Sequence, residues 1–344
     1  MSIKDFFGSE DVYVIAEISQ NHDGSLGQAH AFIDAVARTG ADAVKFQTHI
    51  ASEESTLYEP FRIPFSYCDK TRYDYWKRME FTEAEWHGLF EHAHSLGLDF
   101  LSSPFSIRAL ELLEHIGVPA WKIGSGEVFN SVLINKVIET GKPIILSTGL
   151  STIDEVKKLV KKITDAGNNL ILLECTTAYP SKANQIPIYL IREYLNTFSC
   201  PIGISDHSAT IFPGIAAVAL GAKCVEVHVT MSREMFGPDV AASVTTDELE
   251  ELVKGVRFVN NMLQCKIDKS VLSESSEELR KMFSKSLYAN RNINKGERLT
   301  TEDIGIKKPH NDDAFDADDY YRVLGTIALR DIKKDEIIKQ EYIK

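Results

Sequence analysis

The chain has 344 residues, 44% of them apolar, and a formal net charge of −12. That length suits one large domain and one small one, and the acidic balance argues against a nucleic-acid binder, although an anionic substrate remains compatible with lysines focused in a cleft. No run is long and apolar enough to span a bilayer. The first residues lack the basic and apolar regions of a signal peptide. Five cysteines without CxxC spacing point to reduced thiols in a cytoplasm rather than to a disulfide framework or a zinc site.

In chain order, eight strand-like runs alternate with helical ones. The strands are expected at Val12–Ile18, Asp42–Gln47, Asp99–Ser103, Ala120–Ser125, Pro143–Thr148, Leu170–Thr176, Pro201–Ser205 and Cys224–Thr230. Between them, stretches such as Ser25–Thr39, Glu83–Leu96, Ser106–Ile116 and Thr152–Ala166 carry apolar residues at helical spacing. Most of these helices run out near a glycine (Gly40, Gly97, Gly117, Gly141, Gly167, Gly221), a C-cap signal. Eight β/α units over residues 1–265 predict a TIM barrel, with a doubly wound open sheet as the alternative. One connection is too long for a simple loop. His49 to Phe81 holds no clear helix until its end but carries seven aromatics before Phe81, including Phe61, Phe65, Tyr75 and Trp76, and reads either as a lid or as a rim-packed loop. Residues 266–284 are charged and Ser-rich, as a linker would be. Residues 285–344 contain an internal repeat, Ile293–Ile304 against Ile332–Ile343, which predicts a small β-rich domain with a pseudo-twofold.

In a TIM barrel the chemistry sits at the C-terminal ends of the strands, and here every such end is polar. Lys45 and Lys122 each end an apolar strand. Ringed by Ser103, Ser125, Ser147 and Ser205, their ammonium groups suit a phosphate or carboxylate; the alternative is two snorkelling surface lysines. His207 and His228 end neighbouring strands of a βαβ unit. With Asp206, Glu226 and Glu17 near them they are candidates for a divalent ion, the alternative being hydrogen-bonded core histidines. The other eight histidines, His22 and His49 among them, read as loop or surface residues. Glu17, on an apolar strand, is a candidate for proton transfer with a pKa raised by burial, or a structural partner of Lys45.

Seven motifs in order carry a resemblance: Ala-Glu-Ile-Ser-Gln-Asn-His-Asp-Gly (16–24), Lys-Phe-Gln (45–47), Ser-Ser-Pro-Phe (102–105), Lys-Ile-Gly-Ser-Gly-Glu (122–127), Leu-Ser-Thr-Gly (146–149), Gly-Ile-Ser-Asp-His (203–207) and Gly-Pro-Asp (237–239). Together the chain resembles the sialic acid synthase family, the N-acetylneuraminate, legionaminate and pseudaminate synthases. The tail is similar to their antifreeze-like (SAF) domain. The resemblance implies condensation of phosphoenolpyruvate with an open-chain N-acetylated amino sugar to a nine-carbon 2-keto acid and phosphate. It implies Mn²⁺ or Mg²⁺ held by His207 and His228, and phosphoenolpyruvate held by Lys45, Ser103, Lys122, Ser125, Ser147 and Ser205. Glu17 would handle protons, and Gln47, Glu127, Tyr179, Glu226 and Asp239 would line the sugar side. It also implies a cytoplasmic homodimer whose tail reaches a partner's site in trans.

Two positions depart from the family pattern. Lys308 stands before Pro309 where the family usually has arginine, and Thr177 stands where the neuraminate enzymes often have asparagine. A related aldolase acting on a sugar phosphate is a second reading, since the long loop offers Arg62, Lys70 and Arg72 for another phosphate. An ice-binding protein built on the tail is a third.

Overall fold

Alternating apolar residues build eight parallel strands: β1 (Tyr13–Ser19), β2 (Ala43–Thr48), β3 (Asp99–Pro104), β4 (Trp121–Ile123), β5 (Ile144–Ser147), β6 (Leu170–Cys175), β7 (Ile202–Asp206) and β8 (Cys224–Thr230). In this computed structural model, which describes residues 1–344, their hydrogen-bonded order is β3-β2-β1-β8-β7-β6-β5-β4. β3 and β4 adjoin at the remaining seam, so the sheet curls into a nearly closed (β/α)8 barrel rather than an open sheet. β4 is shorter than expected because the chain leaves the sheet at Gly124 and turns through a 3₁₀ segment, Ser125–Glu127.

The helices begin where side-chain acceptors cap them. Thr82 with Glu85 and Thr152 with Glu155 form capping boxes, and Ser25 caps Leu26–Thr39, which ends at Gly40 with φ 80°. The period of two along each strand then sorts side chains into two apolar layers. Val14, Ala16, Val44, Phe46, Phe100, Trp121 and Leu172 face the helices. Tyr13, Ile15, Ala43, Leu101, Ile145, Ile171 and Leu173 fill the barrel interior, with Ile3 and Phe6 packed among them. Gly203 is required there, since a Cβ would lie 2.4 Å from the carbonyl oxygen of Cys224. Above this packed floor the inward positions turn polar, and the site begins.

After β2 the chain runs through two helices, Ala51–Glu54 and Arg72–Met79. Phe61, Phe65, Tyr73, Tyr75, Trp76 and Met79 form a small apolar cluster of their own. Arg78 pins this excursion to the loop after β1, pairing with Asp23 (2.5 Å) and Asp69 (2.8 Å). Gly24 allows the approach: its φ is +75°, and a Cβ would meet the Arg78 carbonyl oxygen at 2.2 Å. The barrel and its loops form one compact unit, Met1–Cys265.

The second unit is Lys266–Lys344. Its first part is not featureless, as a linker reading suggests: Ser273 caps a helix, Glu274–Phe283. A two-stranded antiparallel sheet follows, Ser286–Ala289 against Ile304–Lys307. The internal repeat is visible as paired hydrogen bonds. Ile293 and Ile332 exchange N–H···O bonds of 2.8 Å in both directions. Lys295 N donates to Asp331 Oδ1 and, at the equivalent place, Lys334 N donates to Asn292 Oδ1, both at 2.8 Å. Leu299 and its counterpart Ile338 are both in the core. The two half-repeats therefore pack about a pseudo-twofold, each completing the other's backbone hydrogen bonding. No helix of the chain is long and apolar enough to cross a membrane.

Candidate active site

The polar layer occupies the C-terminal ends of the strands and opens into a cavity of about 380 Å³. Of the residues singled out from the sequence for the site, all line this cavity except Asp206, Lys70 and Lys308. Lys308 belongs to the second unit, where its ammonium sits 4.5 Å from the centre of the Phe283 ring.

Neighbouring-strand register sets the cavity floor. Glu17 lies beside Lys45 on β2 and beside His228 on β8, and Ser205 lies beside Glu226. Lys45 Nζ pairs with Glu17 Oε2 at 2.6 Å and lies 3.9 Å from Glu226 Oε1. Lys122 Nζ lies 3.5 Å from the same Glu226 oxygen and donates to Ser147 Oγ at 2.8 Å. Ser205 Oγ donates to Glu226 Oε1 at 3.1 Å. The lysines are thus buried and paired, not snorkelling surface chains. Glu226, which the resemblance places among the residues lining the sugar side, sits between them at the floor.

Electrostatics at the floor oppose burial against pairing. Burial raises the pKa of Glu17 despite the pull of Lys45 and His228. For Glu226 burial also pushes upward, but Lys122, Lys45 and His228 outweigh it and hold it down. Burial would lower Lys45, yet Glu17 and Glu226 keep it raised. Lys122 is lowered, chiefly by burial, with Lys45 adding to the effect. Two ammonium groups facing two carboxylates, ringed by hydroxyls, can take an anion if one carboxylate takes up a proton. Glu17 is the one already displaced in that direction.

Ser125 Oγ accepts from Gly149 N at 3.0 Å and approaches Cys175 Sγ at 3.5 Å. A Cβ on Gly124 or Gly126 would meet no atom within 4 Å, so the glycines leave room on that wall.

The two histidines stand higher, their ring centres 5.1 Å apart. His207 Nδ1 faces the Thr176 carbonyl oxygen at 3.0 Å and donates to it, which leaves Nε2 as a free lone pair. Burial holds the His207 pKa down to about 3. His228 Nδ1 and Glu226 Oε2 are buried without a hydrogen-bond partner. Two adjacent imidazoles, each with a ring nitrogen left for a ligand, fit a divalent cation. No three His, Cys, Asp or Glu side chains converge into a ready-made cage, so substrate and water would complete the shell. Asp206 is not part of this set. The strand period turns it outward, where it accepts from Ser208 Oγ at 2.7 Å.

Tyr179 packs on both rings, 4.3 Å from His207 and 5.9 Å from His228. Arg62 lies 4.3 Å over the Tyr179 ring and 3.3 Å from Asp239 Oδ1, whose other oxygen accepts from Ser19 at 2.6 Å. The aromatic excursion is therefore a wall of the cavity, contributed by Phe61, Arg62, Phe65, Arg72, Tyr75 and Trp76. Glu127 accepts from Asn130 at 2.9 Å, and burial pushes its pKa up. Thr177 is exposed at the rim.

Two histidines read as loop residues are in fact buried. His22 packs against Phe81 and accepts from Gly24 N at 3.1 Å, a structural role. His49 lies 5% exposed in the cavity wall. Its position two residues beyond Gln47, on the inward side of β2, was the available signal.

A parallel barrel with a floor of buried lysines, a pair of imidazoles above it and a wall drawn from one long loop defines a barrel enzyme with one deep polar cavity. Residues 32–268 match the NeuB family and residues 284–343 the SAF domain. The chain is 32% identical over 333 residues to the N,N'-diacetyllegionaminic acid synthase of Campylobacter jejuni, covering 95% of this chain and 98% of that one. It is 30% identical over 342 residues to human N-acetylneuraminate-9-phosphate synthase, covering 98% and 94%. The crystal structure of the sialic acid synthetase of Leptospira borgpetersenii, solved with citrate, superposes with a TM-score of 0.70 at 29% identity, over 79% of this chain and 92% of that one. The chain belongs to the NeuB family, that of the sialic, legionaminic and pseudaminic acid synthases, and carries the SAF domain at its C-terminal end.

Proposed function

We propose that this enzyme condenses phosphoenolpyruvate with the open-chain form of an N-acetylated amino sugar, giving a nine-carbon 2-keto acid and inorganic phosphate. The observation that carries the reading is the convergence of both lysines, both imidazoles and Glu17 on one cavity. Lys45 and Lys122, with Ser103, Ser125, Ser147 and Ser205, hold the phosphate and carboxylate of phosphoenolpyruvate by charge-assisted hydrogen bonds. Gln47, Glu127, Tyr179 and Asp239 position the sugar so that its aldehyde carbon meets C3 of phosphoenolpyruvate. C3 attacks the aldehyde, water adds at C2, and phosphate leaves by C–O cleavage. Glu17, at the junction of floor and wall, moves the proton between water and the growing alkoxide. A divalent ion, Mn²⁺ or Mg²⁺, would be held by His207 and His228 and would polarise the aldehyde. The reading includes a cytoplasmic homodimer in which the tail of one copy serves the other, with Lys308 as the contributed charge. A monomer at working concentration in sedimentation would overturn that part.

The outer wall favours an uncharged sugar over a sugar phosphate. Arg62 is paired with Asp239 and Arg72 with Glu59 at 3.2 Å, so a second phosphate would compete with a carboxylate for each, and Lys70 does not line the cavity. The test is phosphate release with N-acetylmannosamine, its 6-phosphate and a 2,4-diacetamido-trideoxyhexose. We expect turnover with an unphosphorylated sugar and at least tenfold lower kcat/KM with the 6-phosphate. No phosphate release with any of them would overturn the reaction, and preference for the 6-phosphate would overturn the specificity.

A further inference from the structure

The wall loop does more than cover the cavity. Its first short helix ends at Glu54, whose Oε1 lies 2.5 Å from His49 Nδ1. The other ring nitrogen of His49 lies 3.3 Å from Gln47 Oε1. The Gln47 amide nitrogen in turn donates to Glu17 Oε1 at 2.8 Å, and Glu17 Oε2 pairs with Lys45 at 2.6 Å. The direction of the chain is set at its ends. A carboxylate accepts, so Glu17 draws the amide nitrogen of Gln47 and leaves the amide oxygen facing His49. Glu54 likewise draws a proton onto Nδ1. His49 thus meets an acceptor at each ring nitrogen, the Glu54 carboxylate at Nδ1 and the Gln47 amide oxygen at Nε2, and lies between two aromatic faces. Those faces are Trp76, 3.9 Å away and inclined by 16°, and Phe105, 4.4 Å away and inclined by 12°. Stacked on both faces and bonded at both nitrogens, the imidazole has no freedom to turn.

We propose that His49 and Glu54 are positioning residues: they fix the Gln47 amide, and through it aim the Glu17 carboxylate that the proposed function uses for proton transfer. The loop after β2 is thereby coupled to catalysis through one defined hydrogen-bond path, in addition to the contacts its side chains make with the cavity. Without His49 the Gln47 oxygen keeps only Gln20 Nε2, at 3.3 Å, and the amide is held less firmly with its nitrogen toward Glu17.

The test uses the full-length enzyme with phosphoenolpyruvate, Mn²⁺ and whichever sugar of the panel above turns over fastest. His49→Phe keeps the aromatic stack and removes both hydrogen bonds. It should lower kcat roughly tenfold, the worth of one charge-assisted hydrogen bond, with KM for phosphoenolpyruvate changed less than twofold. Gln47→Met should lower kcat at least as much. Because His49 acts through Gln47, the double variant should be no slower than Gln47→Met alone. Glu54→Gln keeps an acceptor for Nδ1 without the charge, and should give a smaller loss of the same kind at an unchanged melting temperature. A His49→Phe enzyme with wild-type kcat would overturn the proposal. So would losses that multiply in the double variant, or a Glu54→Gln enzyme in which only the KM for sugar rises, the sign of direct substrate contact. If His49→Phe melts early, the Glu54→Gln split decides. A wild-type enzyme that consumes no phosphoenolpyruvate would instead overturn the function on which the inference rests.

Discussion

Alanine at His207 or at His228 is expected to cut turnover by roughly a thousandfold, the several kcal/mol that a Lewis acid contributes at a developing alkoxide. The two sites should respond alike, because each would supply one imidazole to the same proposed ion and no third such side chain stands by to replace it. Mn²⁺ titration by electron paramagnetic resonance gives a readout independent of turnover. One ion should bind per wild-type chain and none to either variant. Chelation should silence the wild-type enzyme, and Mn²⁺ or Mg²⁺ should restore it. The fold should survive, since both rings stand at the cavity and outside the two apolar layers. Full turnover of either variant in the presence of a chelator would remove the ion from the mechanism.

The second large effect separates the two lysines. Lys122→Met keeps the apolar stem and deletes the ammonium. Its contribution to an anion, about 1.5–3 kcal/mol, should appear as a rise of ten- to a hundredfold in KM for phosphoenolpyruvate with a modest change in kcat. Lys45→Met should be worse. Besides the anion contact, it removes the 2.6 Å partner of Glu17 and leaves that carboxylate buried with only the Gln47 amide as a donor. Glu17, already raised by burial, would then lose the strongest influence holding its pKa down, so kcat falls as well. Glu226 loses one of its two lysine neighbours in either variant but never both, which limits the cost to stability. Equal and purely KM-type effects of the two substitutions would contradict the arrangement of the floor.

Much of this was legible in the sequence because strand ends obey simple rules. Apolar runs closing on Lys45, Lys122, Ser147 and Glu226 announce a barrel whose polar layer lies above a packed core, and the structure places all of these in the cavity. The period of two already separates Ser205 and His207 from Asp206, so the outward turn of Asp206 followed from the same rule. His49 was harder. It lies beyond the end of β2, and only the return of the loop that brings Trp76 against its face makes it an interior residue. The helix Glu274–Phe283 was obscured because it has no buried residue and its apolar positions crowd at its end, so charge and serine dominate the composition. The resemblance counts Glu226 among the residues lining the sugar side; its contact with Ser205 and its place between the lysines come from the register of β7 and β8.

The His49 sandwich has an optical consequence. The chain has three tryptophans. Trp86 and Trp121 are sealed in the layer between barrel and helices, far from any solvent-borne ligand. Only Trp76 borders the cavity, with an imidazole against one face and the Arg72 guanidinium 5.0 Å from its ring centre. Indole emission is sensitive to such charged and proton-donating neighbours, so a shift of the loop by a fraction of its stacking distance changes the light it gives out. The protein carries a built-in fluorophore at the one place where loop and cavity meet, against a background of two emitters that ligand binding leaves untouched. Loop movement during a single turnover can therefore be followed by stopped-flow emission without attaching a dye.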